Sequence, residues 1–259
     1  VYLNYYGLRE PPFNINPNPR LMFYSAKHRE ALNHLLYGIR ERKGFVQLTG
    51  EVGAGKTTIC RALLEHLGPN YATALILNPV LNSDQLMKAI AMEFGLQVKG
   101  LDRLETVAAL NQFLLDQVMR GHDAVLIIDE AQDLTPELLE QVRLLSNLET
   151  DDRKLLQIIL LGQPELRDRL NKHELRQLRQ RITVRYHLAP LTPREVGQYI
   201  QHRLAACGAV RPVRVRGGHG DRLRRPGGVG GSRESVAPSA RAAQRSASKC
   251  DLRSFSSVT

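Results

Sequence analysis

Three short stretches of this 259-residue chain hold groups that could do chemistry at defined spacings. Gly50-Glu51-Val52-Gly53-Ala54-Gly55-Lys56-Thr57 fits the pattern G-x-x-x-x-G-K-[ST]. Gly50, Gly53 and Gly55 let the backbone wrap inward, so that the N–H groups of this loop point at phosphate oxygens. A helix beginning near Lys56 would add the positive end of its dipole. Lys56 would then reach the β- and γ-phosphates of ATP, the Thr57 hydroxyl would ligate Mg²⁺, and Thr58 would lie close to the α-phosphate.

The second stretch is Asp129-Glu130, which follows the apolar run Ala124–Ile128. Two acids at the carboxyl end of a buried strand stand where open parallel sheets bind ligands. Asp129 would hold the Mg²⁺ shell, and Glu130 would polarise the water that attacks the γ-phosphate. The third stretch is Gly162-Gln163-Pro164, after the run Leu155–Leu161. On spacing, Gln163 is equally a turn residue or a polar group that senses the γ-phosphate and orients water. Further on, Leu170–Ile182 (LNKHELRQLRQRI) reads as a helix carrying Arg176, Arg179 and Arg181. These arginines form a solvated basic face at a favourable dipole end, or one of them is a finger reaching a neighbouring subunit's site.

The elements that must position these groups follow from hydrophobic period and breakers. Val1–Tyr24 holds Pro11, Pro12, Pro17 and Pro19 and reads as an irregular, anchored segment. Its Tyr5, Tyr6, Phe13, Phe23 and Tyr24 are expected to pack against the body, and Pro12 and Phe13 either pack so or cover an adenine. Ser25 caps a helix whose apolar face is Ala31, Leu32, Leu35, Leu36 and Ile39. Phe45–Thr49, Ala72–Leu77, Ala124–Ile128, Leu155–Leu161 and Ile182–Leu188 read as five strands. Between them lie the helices Ile59–Leu67, one capped by Ser83, Leu104–Met119 and one starting at Thr135-Pro136. Thr192-Pro193-Arg194-Glu195 is a capping box that opens the helix Arg194–Cys207.

Composition bounds the class. No apolar run approaches the ~18–20 residues of a membrane span, and no basic-then-apolar leader opens the chain, which reads as a protein not directed to export. Cys60, Cys207 and Cys250 match neither a disulfide framework nor a zinc pattern and read as free thiols in a reducing compartment. The net charge of +10 belongs to the end of the chain, since residues 211–259 carry 11 Lys/Arg against 3 Asp/Glu. The preceding body is near neutral, which argues against nucleic acid as a partner.

The opening YYGLREPPFNINPNPR, the loop TGEVGAGKTT, the strand LIIDEAQDL, the strand end LLGQPEL and the run LRQLRQRITVRYHLAPLTPREVGQYI together resemble one AAA+ family. It is the ExeA/GspA-type ATPases of bacterial general secretion pathways, with relatives in pilus-biogenesis and exosortase-linked loci. The resemblance runs from Val1 to Ala209. It implies an ATP-hydrolysing enzyme at the cytoplasmic face of the inner membrane, acting as a homo-oligomer with a membrane-bound partner to help a secretin assemble. It further implies that Gln163 is the first sensor and Arg181, or else Arg179, the finger. Asn78, at the end of the second strand, falls where such proteins keep a polar switch that restrains the catalytic Glu.

After Ala209 the pattern departs. The resemblance implies a helical lid with an Arg in a GG-[VI]-P-R-like turn, often followed by a transmembrane helix. The chain instead continues RPVRVRGGHGDRLRRPGGVGGSRESVAPSARAAQRSASKC, where Gly227-Gly228-Val229 is followed by Gly230 rather than Pro. This Arg/Gly/Pro/Ser/Ala composition could not form a core. It reads as a frameshift near codon 210 that replaces the lid, the alternative being a disordered basic arm for phosphate backbones. The expected organisation is thus an anchoring segment and helix over 1–44, an AAA+ core over 45–209, and a basic low-complexity tail over 210–259. The fold expected is a three-layer α/β P-loop NTPase with a five-stranded parallel sheet, its acidic strand lying between the neighbours of the phosphate-loop strand. A transposition-accessory type ATPase that assembles on DNA is the rival, and a catalytically weak nucleotide-binding fragment a third reading.

Overall fold

Aliphatic runs with no polar face need cover on both sides, and this chain supplies it by alternating strands with helices. The computed structural model describes residues 2–13, 21–77, 79–149 and 153–208. Asn78, Pro17, Pro19, Cys250 and the whole tail 210–259 lie outside the described residues. Contacts group the described residues into two compact units, one within Ala26–Ala189 and the other from the two ends, residues 2–13 and 21–25 with 190–208.

The larger unit holds β1 Phe45–Gly50, β2 Tyr71–Ile76, β3 Asp123–Ile128, β4 Leu156–Gly162 and β5 Ile182–Leu188. They form one five-stranded parallel sheet in the order β2-β3-β4-β1-β5. The acidic strand β3 therefore lies between β2 and β4, and not between the neighbours of β1, which are β4 and β5. Parallel strands need helical crossovers. The chain leaves β1, runs out to the β2 edge, returns through β3, and only then places β4 in the gap. Thr49 pairs with Gly162 and Ile128 with Leu160, so the carboxyl ends of β1, β3 and β4 finish at one edge.

Alternate residues of these strands bury on opposite faces. Phe45, Leu126, Ile128, Ile158 and Leu160 share a core with Leu86 and Ile90 of α4 (Ser83–Glu93), Leu110 and Leu114 of α5 (Arg103–Met119), and Leu138 and Val142 of α6 (Pro136–Leu145). Val46, Leu48, Val125, Ile127 and Leu161 are equally buried, and on β1 that face meets α2 (Ala26–Arg40), where a Cβ on Gly38 would stand 2.4 Å from Val46 Cγ2. The helix α3 (Lys56–Leu67) follows the phosphate loop directly.

Three local expectations are corrected. Asn82, not Ser83, caps α4, because its side chain and that of Gln85 close a reciprocal capping box. The run Leu170–Ile182 is not one helix: it is the end of α7 (Pro164–Leu170), a single tight turn His173–Leu175 and α8 (Arg176–Arg181). Its buried residues Leu170, Leu175 and Leu178 anchor these pieces separately in the core. The opening segment begins with a helical turn, α1 (Tyr2–Tyr6), on which Tyr5 is 63% exposed and stacks edge-on against the exposed Tyr6.

In the smaller unit, α9 (Pro193–Ala206) starts at the expected Thr192–Glu195 capping box. Leu8, Leu21 and Cys207 form its core. Arg203 of α9 is buried and donates to the carbonyls of Pro12 (2.6 Å) and Leu21 (3.1 Å), so its guanidinium ties the opening segment to the helix. The Phe13 and Phe23 rings both lie on Tyr199, 6.3 and 6.1 Å between centroids. Cys60 and Cys207 are free, buried thiols, and burial pushes the Cys60 thiol up to about 12.

Candidate nucleotide site

β1 stops at Gly50 because the loop must turn there. A Cβ on Gly50 would lie 2.8 Å from the Leu188 carbonyl oxygen of β5. Gly53 and Gly55 adopt φ of 77° and 98°, a region that only glycine enters without strain. The Ala54 N–H donates to the Glu51 carbonyl at 3.0 Å and closes the turn. α3 then begins with no side-chain cap on its first N–H groups, which therefore face the loop as donors. Lys56 is 6% exposed and curls back, its Nζ donating to the carbonyls of Gly50 at 2.9 Å and Glu51 at 3.2 Å. Glu51 and Val52 are exposed at the loop tip, and Thr58 is half-buried as the third residue of the helix.

The acidic strand end meets the start of α3. Thr57 Oγ1 donates to Asp129 Oδ2 at 3.2 Å, and the Glu130 N–H donates to Asp129 Oδ1 at 2.9 Å. Asp129 is 4% exposed, and burial holds its carboxyl above the usual carboxylate range, against the pull of these two hydrogen bonds and of Lys56. A hydroxyl and a carboxylate side by side are hard oxygen donors of the kind Mg²⁺ accepts, an ion that keeps several waters and needs few protein ligands. The residues present fit that ion.

Glu130 carries the one unusual backbone of the site, at φ 50° and ψ 39°. A left-handed conformation at a non-glycine residue costs on the order of 1–3 kcal/mol and persists only where its surroundings enforce it. They do so here. Glu130 Oε2 accepts from Gln132 Nε2 at 2.9 Å and more distantly from Gln163 Nε2 at 3.4 Å. The Gln163 N–H in turn donates to Gln132 Oε1 at 3.0 Å. The structure thus brings Lys56, Thr57, Asp129, Glu130 and Gln163 to one sheet edge. Arg179 and Arg181 are not among that site's contacts: Arg181 Nη1 donates to Ser146 Oγ at 2.6 Å and Arg179 Nη1 to Asn171 Oδ1 at 3.4 Å.

Two residues of the site escape sequence reasoning. His28 is buried, and its Nε2 sits 3.0 Å from the Ala54 carbonyl, beneath Gly55. A Cβ on Gly55 would meet that nitrogen at 2.5 Å. The available signal was that His28 continues the apolar stripe of α2 one turn back from Ala31 and Leu32. Gln132 is the other, a buried amide in the tight turn Ala131–Asp133. Its signal was a polar residue two positions after Glu130, in a segment otherwise bounded by Ala131 and Leu134.

A glycine-rich phosphate loop on β1, an acidic pair on β3 and a polar strand end between them define a P-loop nucleotide-binding domain. The AAA domain family matches residues 39–170, and the chain belongs to it. It is similar to General secretion pathway protein A of Aeromonas hydrophila, with 49% identity over 214 residues. That alignment takes in 82% of this chain but 39% of the relative, so the chain spans about two fifths of that protein's length. Solved structures of the same fold include Cdc6p from Pyrobaculum aerophilum (TM-score 0.59, 18% identity, 77% of this chain and 54% of that one). They also include the ORC2 protein of Aeropyrum pernix (TM-score 0.57, 18% identity, 75% and 55%) and a Walker-type ATPase of Pyrococcus abyssi (TM-score 0.57, 18% identity, 78% and 64%). The chain is thus an AAA-domain protein that, over most of its own length, is similar to a general secretion pathway protein A.

Proposed function

We propose that this chain binds Mg-ATP and hydrolyses it, and that hydrolysis energises assembly of a secretion or pilus machine at the inner membrane. The observation that carries the enzymatic part is Glu130, held in a strained backbone by two glutamines beside the Thr57–Asp129 pair. In this reading Gly50–Thr58 cradle the phosphates and Lys56 exchanges its two carbonyl partners for β- and γ-phosphate oxygens. Thr57 and Asp129 hold Mg²⁺, which when bound neutralises charge on the phosphates. Glu130 accepts the proton of a water whose oxygen bonds to the γ-phosphorus as the β–γ bridging bond breaks, and ADP leaves with the bond's electron pair. Gln163 positions that water. Arg181, or else Arg179, reaches the site of the next copy in a homo-oligomer.

The secretion role rests on the likeness to General secretion pathway protein A. No helix among the described residues is long and apolar enough to cross a membrane. The reading includes a membrane-bound partner protein. The test of the enzymatic part is a pair of variants. Lys56→Ala loses ATP binding by about 100-fold or more, whereas Glu130→Gln keeps binding and loses turnover by a factor of ~10²–10⁴, the usual worth of a positioned base. Turnover by Glu130→Gln at the parent rate would remove Glu130 from the mechanism.

A further inference from the structure

We propose that Gln132 is a positioning residue for hydrolysis: its amide fixes one carboxylate oxygen of Glu130 against the end of β4 and so leaves the other oxygen for the water. This rests on the reading of Glu130 as the base. The geometry leaves the amide one orientation. Gln132 Oε1 accepts the Gln163 main-chain N–H at 3.0 Å, and an N–H can only be met by an oxygen. The NH₂ group must then point the other way, and it donates to Glu130 Oε2 at 2.9 Å. The Gln163 side chain meets that same oxygen at 3.4 Å. Both donors converge on Oε2, and no hydrogen bond among the described residues engages Oε1.

The pocket around this amide is built for it. Gln132 is 9% exposed, and a Cβ on Gly162 would stand 2.9 Å from its Oε1. Only a residue without a side chain at 162 leaves room for the bridge. Gln132 therefore links two strand ends, those of β3 and β4, through a single rigid group. A base held at one oxygen keeps its lone pair aimed, and misaiming by about 1 Å is enough to cost on the order of 10²-fold in rate.

The test is Gln132→Glu, with Gln132→Ala beside it. The Glu side chain keeps an oxygen to accept the Gln163 N–H and keeps the volume, but it turns an oxygen toward Glu130 where the donor stood. Affinity for a fluorescent ATP analogue, kcat for ATP and thermal melting are measured for the parent, both Gln132 variants and Glu130→Gln. The expected result is a loss of kcat of at least tenfold in both Gln132 variants, with affinity within threefold of the parent and cooperative melting retained. A Gln132→Glu protein that turns over at the parent rate overturns the inference. So does one that loses affinity and kcat together, because that is the mark of a general structural or binding role. If Glu130→Gln itself hydrolyses ATP like the parent, it is the base assignment that fails, and the two failures are told apart in one data set.

Discussion

At the scale of single residues, the site places function and stability in opposition. Asp129 is buried with its carboxyl raised above the usual range, the cause being burial first. A carboxylate raised in the folded state contributes stability below its unfolded value, about pH 3.9, and that contribution is lost as pH rises through the folded value. At neutral pH the ionised form therefore works against the fold in the absence of a cation. Asp129→Asn keeps an oxygen for the Glu130 N–H and removes the charge. Its melting temperature at pH 7.5 is expected at or above the parent's, with the gap narrowing as the pH is lowered toward 4. A lower melting temperature at pH 7.5 would mean that attraction to Lys56 outweighs burial. The same variant should lose the extra stability that Mg²⁺ gives the nucleotide complex.

At the scale of elements, close approach decides where glycine stands. Gly38, in the interior of α2, would gain roughly 1 kcal/mol in helix propensity on becoming alanine. The new methyl would stand 2.4 Å from Val46 Cγ2, and Val46 is fully buried on β1. Overpacking of this kind costs about 1–3 kcal/mol, so the clash wins. Gly38→Ala is expected to lower stability by up to about 2 kcal/mol in denaturant unfolding, with ATP affinity falling as β1 shifts under the phosphate loop. Much of this level was legible in the sequence. The phosphate loop, all five strands and the Thr135 and Thr192 caps follow from local period and local chemistry. What was not legible depends on partners distant in the chain. The place of β4 between β3 and β1 is a topological choice that no strand's own residues record. The break of Leu170–Ile182 follows from which leucines find the core, and the roles of Gln132 and His28 exist only once Gln163 and Ala54 are beside them.

At the scale of the whole molecule, catalysis by an arginine from a neighbouring copy has a direct test. Arg181 is bonded to Ser146 of its own chain, on the α6 side of the fold, and Arg179 to Asn171. If Arg181 acts in the next copy's site, Arg181→Ala and Glu130→Gln proteins are each nearly inactive alone, and mixing them restores turnover. One copy then supplies the base and the other the arginine. A mixture no more active than its parts places the arginine outside the reaction. The order of the sheet has a further consequence. β1, β3 and β4 each have a strand on both sides, while β2 and β5 are the edges. The amide protons of Val46–Leu48, Val125–Ile128 and Ile158–Leu161 should thus be the last to exchange with deuterated solvent, opening only when the unit unfolds as a whole. Gly50, Glu130 and Gln163 stand at or just past the ends of those three strands. On that expectation the floor of the site is ordered before any ligand arrives, and most of the ordering entropy of binding falls on the loop Glu51–Gly55 and the Lys56 side chain.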